Sequence, residues 1–324
     1  MSMAAKTSLV EAWRKPRPVL PQSQVAVIAP SGPVPQNRFL PGLACLSQRY
    51  RVAHSDGLLS ESGFLAGDDG RRLAELRWAL SDPLMAAVFC ARGGHGALRL
   101  VPWLAPLGPD DLPCKPFVGF SDATVLHAFL GLQKRVTIHG PGVTQLAELS
   151  WTDRAALWSL LEQDTPPGPC SFLQTFASRS LRVTGRLLGG NLEMLSRLCG
   201  TPLFRLFADS GKIVLLLEEV TEAPYRIDRA LSQLRLAGAF QHVVAVVVGD
   251  FVRCEGPPTH PTATEVLVEH FVRLGIPLFL GLPLGHGKNN LAVPLGVAVS
   301  IDTRRGQLEF LEAAVERFPD STPG

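Results

Sequence analysis

Residues 116–132, PFVGFSDATVLHAFLGL, contain the change of pattern that decides the fold. The apolar run over 116–120 is typical of a buried strand, and the apolar residues of 123–132 extend over a helical length. The dipeptide Ser121-Asp122 separates the two runs, and polar residues at such a point favour a sharp turn. The stretch therefore predicts a strand, a tight turn and a helix.

Two more apolar strands are predicted before this stretch. QVAVIA at 24–29 stops at the turn PSGP, and AAVFCA at 86–91 runs into a glycine-rich turn. Apolar residues with helical spacing lie between them over 71–80. Strands that alternate with helices predict a parallel sheet, so the expected fold class is α/β.

The composition divides the chain into four segments. Residues 1–23 are basic and proline-rich, and we expect a dispensable tail, whereas residues 24–160 hold the strand and helix units just described. In residues 161–178 the apolar residues show neither helical nor strand spacing and proline is frequent, which predicts a linker. Residues 179–324 mix helices with strands, with more strand near the end, and predict a second domain.

Composition and charge exclude several classes of protein. Of 324 residues, 46% are hydrophobic and 19% are charged, which excludes disorder over most of the length. The formal net charge of +2 is too small for a nucleic-acid-binding protein, so we expect no nucleic-acid partner. No apolar run approaches the ~18 residues of a membrane helix and no signal peptide is visible. We therefore expect no membrane partner and a cytoplasmic location.

The cysteines show no spacing typical of a metal site or a dithiol redox centre. No CxxC pair occurs among the six, so we expect reduced thiols, no metal and no cofactor. The six are Cys45, Cys90, Cys114, Cys170, Cys199 and Cys254.

Ser121 is the candidate nucleophile. A serine nucleophile needs a tight strand-to-helix turn, small residues two positions away on each side, and an available backbone N–H after it. Gly119 and Ala123 satisfy the size requirement, and Asp122 supplies the next N–H. The same residues are also typical of a helix cap, and the motif alone leaves both interpretations open.

A serine nucleophile needs a base, and His286 is the best candidate among eight histidines. It lies between two glycines after an apolar strand, on a loop from which the imidazole can reach a cleft. His139 is a weaker candidate for the same reason. His127, His242 and His270 lie in or at the start of predicted helices and strands, which favours structural roles.

An orienting carboxylate is expected beside the base, and Glu218-Glu219 ends the apolar strand IVLLL. Successive side chains of a strand point to opposite faces, so only one of the two should face the cleft. Because the strand is apolar on both faces, its pattern does not choose between them. A solvated pair just past the strand end is the alternative.

The turn Arg92-Gly93-Gly94-His95-Gly96 has two possible roles. Glycines let backbone N–H groups approach a phosphate, but the spacing is neither that of a Walker loop nor GxGxxG. The Gly93 or Gly94 N–H serves equally well as a second oxyanion donor, and Arg92 then lies near a substrate carboxylate.

Eight segments, in order along nearly the whole chain past residue 24, carry a more specific pattern. They are VAVIAPSGPV (25–34), AGDDGRR (66–72), CARGGHGALRLVPWL (90–104), VGFSDATVLH (118–127), IHGPG (138–142), GRLLGGNLEMLSRLCGTP (185–202), LLLEEVTEAPYRIDRALSQLRLAG (215–238) and GLPLGHGKNNLAVPLG (281–296). Together they resemble the LD-carboxypeptidase family of serine peptidases. Two residues depart from the family pattern, because His95 and Phe120 each stand where that family commonly has tyrosine. Both are expected near the cleft, where they affect substrate preference.

The resemblance implies a catalytic triad of Ser121, Glu218 and His286, with the backbone N–H groups of Asp122 and Gly93 as the oxyanion hole. It also implies an N-terminal α/β domain with a parallel sheet, of the class I glutamine amidotransferase type. The C-terminal domain is expected to be a swivelling β/α/β domain, and the protein is expected to form a homodimer.

The implied reaction is hydrolysis of the amide between the L-centre of meso-diaminopimelate and the terminal D-Ala of a murein tetrapeptide in cell-wall recycling. Arg92 is the candidate for binding the terminal carboxylate, with a structural salt bridge as its alternative. A microcin C-type immunity peptidase, which cleaves a peptidyl-nucleotide amide, shares the implied family. A non-catalytic α/β protein that binds a ligand at the RGGHG turn is the other alternative.

Overall fold

The computed structural model describes residues 13–177 and 182–317, and its strands form two sheets. The strands are β1 (Gln24–Ile28), β2 (Arg51–Ala53), β3 (Ala87–Cys90), β4 (Phe117–Gly119), β5 (Thr137–His139), β6 (Cys170–Ser171), β7 (Gln174–Phe176), β8 (Arg182–Asn191), β9 (Ile213–Val220), β10 (Val243–Val252), β11 (Leu278–Leu280), β12 (Val293–Leu295), β13 (Ala298–Asp302) and β14 (Gln307–Phe310). The helices are α1 (Gln36–Ser47), α2 (Asp69–Ser81), α3 (Val101–Leu104), α4 (Thr124–Leu132), α5 (Trp151–Glu162), α6 (Leu192–Arg197), α7 (Leu206–Asp209), α8 (Pro224–Leu236) and α9 (Ala263–Val272). Within these two ranges, no helix has the length and apolar character needed to cross a membrane.

The first sheet has six strands in the order β12-β5-β4-β3-β1-β2. The strands from β5 to β2 run parallel to their neighbours, and β12 pairs antiparallel with β5 at the edge. Val25, Ala26, Val27 and Ile28 of β1 have no exposed surface, as a strand in the middle of a parallel sheet requires. The three predicted strands are confirmed as β1, β3 and β4, and with them the α/β fold class.

The second sheet has eight strands in the order β6-β14-β13-β8-β9-β10-β11-β7. Its four central strands, β8 to β11, are parallel, whereas the strands on both edges pair antiparallel. The register of β8 and β9 places Asn191 opposite Glu218 where both strands end. This mixed sheet agrees with the expected mixture of helices and strands in the second half of the chain.

The two sheets are joined close to the end of β8. The backbone N–H of Asn191 donates a buried hydrogen bond of 3.0 Å to Thr124 Oγ1, at the start of α4. Gly190 allows this approach, because a Cβ on it would lie 2.6 Å from the same oxygen atom. In addition, β12 comes from the second half of the chain but completes the edge of the first sheet. The ends of β4 and β9 are thereby held in one region.

Two segments pack differently from what their composition suggests. β6 and β7 both lie within residues 161–178, the predicted linker, and pair with β14 and β11 at the edges of the second sheet.

In the predicted tail, Trp13 and Val19 are buried, and the Val19 N–H donates a hydrogen bond to the Leu161 carbonyl at 2.8 Å. Residues 13–23 are thus packed against the body of the protein, in contrast to the expected dispensable tail. Proline-rich composition misleads here because long-range contacts bury the few apolar side chains. The predicted boundary at 178/179 lies outside the described residues.

Candidate active site

Ser121 lies on a strained turn between β4 and α4. Phe120 is extended, with φ −155°, and Ser121 then adopts φ +61°, in the left-handed region that disfavours residues other than glycine. A conformation of this kind costs about 1–3 kcal/mol and is typical of functional sites. Gly119 makes the tight turn possible, because a Cβ there would lie 2.9 Å from both Ala123 Cβ and Cys90 Sγ. The turn has the geometry of a nucleophile elbow.

The glycine-rich turn after β3 packs directly on this serine. A Cβ added to Gly93 would lie 2.7 Å from Ser121 Cβ and 2.8 Å from Ser121 Oγ, so only glycine fits. The buried Asp122 side chain ties the two turns together, because its Oδ2 atom accepts a hydrogen bond of 2.8 Å from the Ala97 N–H. The structure therefore brings Gly93, Ser121 and Asp122 together.

His286 and Glu218 form a short hydrogen-bonded pair. His286 Nδ1 lies 2.6 Å from Glu218 Oε2, and the Glu218 side chain is 0% exposed at the end of β9. Gly285 has φ +110°, and a Cβ there would lie 2.8 Å from Glu218 Oε2, so this glycine lets the histidine loop approach the carboxylate. The pair leaves Nε2 as the ring nitrogen available to a substrate or a nucleophile.

Glu219 points to the other face of β9 and has a different role. Its carboxylate accepts hydrogen bonds from Asn191 Nδ2 at 2.9 Å and from the Glu193 N–H at 2.8 Å. Burial raises the pKa of the Glu219 carboxyl to about 7, against these hydrogen bonds. Glu219 therefore supports the start of α6, and of the two adjacent acids only Glu218 contacts the histidine.

The competing histidines are buried away from the cavity. His127 is hydrogen-bonded through both ring nitrogens, to Thr137 Oγ1 and to the Gly119 carbonyl, each at 2.8 Å. His139 is 0% exposed, and burial lowers the pKa of His139 to about 3 and that of His127 to about 4. The Phe120 ring packs on both imidazoles, because its centroid lies 6.1 Å from that of His139 and 4.8 Å from that of His286.

A cavity of about 370 Å³ opens where these groups meet. Both halves of the chain line it, including Gly93, Phe120, Ser121 and His286. Its charged lining residues are Arg38, Arg92, Glu148 and Lys288.

His95 is one of the two residues that depart from the family pattern. It follows the lining residue Gly94 and is exposed. Its ring packs edge-to-face on Phe64, with 5.2 Å between the ring centroids.

Arg92 lies half-buried in the wall of the cavity. Its Nη1 donates to the Pro33 carbonyl at 2.8 Å, and burial together with the nearby Arg38 lowers the pKa of Arg92. Arg38 makes a two-pronged ion pair with Glu148, at 3.0 and 2.8 Å. Arg92 is thus placed to bind an anion, and the salt bridge proposed as its alternative role is not formed within residues 13–177 and 182–317.

Two residues that the sequence analysis did not single out hold the histidine loop. Asn290 is buried, accepts from the Gly285 N–H at 3.0 Å through Oδ1, and donates to Gln145 Oε1 at 3.2 Å through Nδ2. Asp250 accepts from the Gly287 N–H, and burial raises the pKa of its carboxyl. Their signals, a single Asp inside the apolar strand β10 and an Asn in a polar loop, are common in proteins and carry no specific function. Only the fold places them beside His286.

No metal centre accompanies these groups in the described residues, where no cluster of three or more potential ligands occurs. All six cysteines lie in the described ranges and none of them forms a disulfide.

Comparison with known proteins agrees with this architecture. Models of the LD-carboxypeptidase N-terminal and C-terminal domains match residues 25–140 and 184–301. The chain is 34% identical over 313 residues to a putative carboxypeptidase of Synechocystis, covering 94% of this chain and 100% of that protein. It is 32% identical over 257 residues to the murein tetrapeptide carboxypeptidase of Pseudomonas aeruginosa, covering 75% and 80% respectively.

Solved structures show the same fold. Muramoyltetrapeptide carboxypeptidase from Oxalobacter formigenes superimposes with a TM-score of 0.75 at 28% identity, covering 91% of this chain and all of that one. MccF in complex with glutamyl sulfamoyl guanosine superimposes with a TM-score of 0.80 at 19% identity, covering 93% and 99%, which shows a shared fold. The two matched domain models are those of a carboxypeptidase family, which gives the class of protein. The chain belongs to the LD-carboxypeptidase family, as its sequence predicts.

Proposed function

We propose that the protein is a serine LD-carboxypeptidase in which Ser121 is the nucleophile, His286 the base and Glu218 the orienting carboxylate. The observation that carries the proposal is the buried pair of His286 and Glu218, at 2.6 Å, on the cavity that the strained Ser121 also lines. A neutral imidazole held through Nδ1 presents Nε2 as a base, which is what an unactivated hydroxyl requires.

The first half-reaction forms an acyl-enzyme. Ser121 Oγ attacks the scissile carbonyl carbon while His286 Nε2 takes the hydroxyl proton, and the carboxylate of Glu218 stabilises the resulting imidazolium. The N–H groups of Gly93 and Asp122 stabilise the tetrahedral oxyanion. When the C–N bond breaks, His286 returns the proton to the leaving amine.

The second half-reaction releases the acid. A water molecule gives a proton to His286 Nε2 and attacks the acyl carbon, and the Ser121 oxygen leaves with the proton that His286 returns. Every charge that develops in these two half-reactions is stabilised by groups of the chain itself, so the proposal requires neither metal nor cofactor.

The proposed substrate is a murein tetrapeptide, cleaved between meso-diaminopimelate and terminal D-Ala. The relative from Pseudomonas aeruginosa is a murein tetrapeptide carboxypeptidase by name, which supports this class of substrate. An exopeptidase must bind the terminal carboxylate, and Arg92 is proposed for it because a half-buried guanidinium can bind a carboxylate through two N–H groups.

The proposal extends to assembly and location. Ser121 belongs to the proposed N-terminal domain, residues 24–160, and its two partners belong to the proposed C-terminal domain, residues 179–324, so the triad depends on docking of the two. We propose a homodimer that acts on cell-wall fragments recycled into the cytoplasm. The six free thiols are typical of a reducing compartment.

The test is release of D-Ala from purified murein tetrapeptide, with chelator present. Wild type is compared with Ser121→Ala, His286→Ala and Glu218→Gln, each checked for folding by circular dichroism. We expect turnover by wild type and losses of ~10³- to 10⁶-fold in the variants. Turnover that survives Ser121→Ala contradicts the proposal.

The alternative substrate is a peptidyl-nucleotide amide, of the kind cleaved by microcin C-type immunity peptidases. A self-immunity protein of this name from Escherichia coli is 25% identical over 317 residues, 88% of this chain. Cleavage of such a conjugate but not of the tetrapeptide, again dependent on Ser121, selects this alternative. If neither is cleaved, the non-catalytic protein that binds a ligand at the RGGHG turn becomes the better interpretation.

A further inference from the structure

We propose that Lys288 binds a second carboxylate of the substrate, one on the acyl side of the scissile bond, and so makes the enzyme selective for dicarboxylic residues such as diaminopimelate over lysine. This inference rests on the proposed peptidase function and concerns a different group of the same substrate.

The first argument is the charge of the cavity. Among its lining residues, Arg38, Arg92 and Lys288 are cationic, and Glu148 is the acidic one. Arg38 and Glu148 neutralise each other through their two hydrogen bonds. Arg92 and Lys288 are left without an acidic partner in the described part of the chain. Two uncompensated cations in one cavity favour a ligand with two anionic groups, because complementary charge determines specificity.

The second argument is the depth of the two cations. Arg92 is half-buried and fixed by its bond to the Pro33 carbonyl, whereas Lys288 is exposed at the mouth. A chain end must be enclosed in an exopeptidase site, so the terminal carboxylate belongs with the fixed guanidinium. The side chain of the preceding residue extends toward the mouth, where a lysine on a flexible stem can follow its distal carboxylate.

The third argument is that the loop carrying Lys288 is held in place. Asn290 binds the Gly285 N–H and Asp250 binds the Gly287 N–H, on both sides of His286. The backbone of Lys288 is therefore fixed relative to the proposed base, although its side chain moves in solvent. A charge with a fixed origin near the reacting atoms can select between substrates that differ by one carboxylate.

The experiment compares two tetrapeptides that differ only in the third residue, meso-diaminopimelate or L-lysine. We expect wild type to prefer the diaminopimelate peptide by about tenfold in kcat/KM, mostly through KM, because one charge-assisted contact is involved. Lys288→Met should abolish the preference, chiefly by raising KM for the diaminopimelate peptide. Lys288→Arg should retain it, and Lys212→Met, at a remote exposed lysine, serves as the control. The preference should also weaken at high salt, because the contact is solvent-exposed.

Each outcome decides a separate point. Cleavage of both peptides with the same preference in wild type and Lys288→Met overturns this inference and leaves the proposed function intact. The inference is also overturned if Lys288→Met loses discrimination between a C-terminal acid and its amide, because that would place the lysine on the terminal carboxylate. Failure of wild type to cleave either peptide overturns the proposed function, and this inference with it.

Discussion

Nδ1 of His286 lies 2.6 Å from Oε2 of Glu218, although the two residues are 68 positions apart in sequence. Glu218 lies near the end of β9, and His286 lies in the loop between β11 of the second sheet and β12 of the first. The carboxylate is completely buried, and its other oxygen, Oε1, has no hydrogen-bond partner in the described residues. A buried carboxylate with one strong partner favours a positive charge on that partner. The pair is therefore suited to stabilise an imidazolium during proton transfer.

The two adjacent glutamates should respond differently to the same substitution. Glu218→Gln removes the charge that orients His286, and we expect kcat to fall about 10³- to 10⁴-fold with little change in KM. Glu219→Gln, on the opposite face of β9, should leave kcat within several-fold of wild type. Steady-state kinetics on the tetrapeptide measures both, and equal losses in the two variants would contradict the assignment.

Stability should depend on pH through Glu219. Its pKa in the folded protein, about 7, exceeds the ordinary value of 4.5, so the folded state binds this proton more tightly than the unfolded chain does. The stabilisation by the protonated Glu219 side chain is complete below the pKa that this group has in the unfolded chain. It is lost as pH rises through the pKa of Glu219 in the folded protein. Relative to Glu219→Gln, wild type should lose about 2–3 kcal/mol in the free energy of unfolding between about pH 5 and pH 8. Urea titrations of both proteins measure this, and a difference that does not vary with pH would disprove it.

A methyl group at Gly93 should disrupt the oxyanion site. The added Cβ would lie 2.7 Å from Ser121 Cβ, so Gly93→Ala must displace either the turn or the serine. We expect kcat to fall about 10²- to 10³-fold, the usual effect of losing one oxyanion donor. Gly168→Ala is the matched control, because nothing lies within 4 Å of its Cβ position. Unchanged kcat in a folded Gly93→Ala variant would show that the site tolerates a side chain at this position, which would contradict the tight packing of the turn on Ser121.

Asn290 should act as a positioning residue for the histidine loop. Asn290→Ala leaves the buried Gly285 N–H unpaired and breaks the contact with Gln145, so His286 loses its alignment. We expect a loss of about 10- to 100-fold in kcat with KM nearly unchanged. Asn289→Ala, at the exposed neighbour, is the control. A purely structural role predicts a lower melting temperature with kcat unchanged.

Trp13 should contribute to the stability of the whole protein. It is 8% exposed and packs on Gly296, where a Cβ would lie 2.4 Å from its ring, and the Arg186 guanidinium lies 5.2 Å from its ring centroid. Trp13→Ala should therefore cost about 3–5 kcal/mol in the free energy of unfolding. Trp151→Ala, at a tryptophan that is 76% exposed, should cost less than about 1 kcal/mol. Equal melting temperatures for the two variants would support the expectation of a dispensable tail.

Local sequence patterns identified much of the first sheet and the turn at its centre. β1, β3 and β4 are short apolar runs that are buried on both faces, and such runs are visible without any knowledge of their neighbours. Likewise, the small residues around Ser121 are required by the turn itself. These features depend on interactions among residues close in the chain.

The remaining features depend on residues that are distant in sequence. β6 and β7 are too short to show a periodicity, and they are strands only because β14 and β11 offer them hydrogen-bonding edges. Trp13 looks like part of a basic, proline-rich tail until Gly296 and Arg186 are brought against it.

The amino-acid sequence was sufficient to predict the α/β class, the strand-turn-helix that presents Ser121, and the family. The resemblance to the family also implied Glu218 rather than Glu219, but the three-dimensional arrangement was needed to show its contact with His286 and the residues that hold the histidine loop. Strand periodicity is a local property that leaves both glutamates open, whereas the contacts on each face of β9 separate them. Asn290, Asp250 and Lys288 are ordinary polar residues in sequence, and their roles follow from the fold that gathers them around one imidazole.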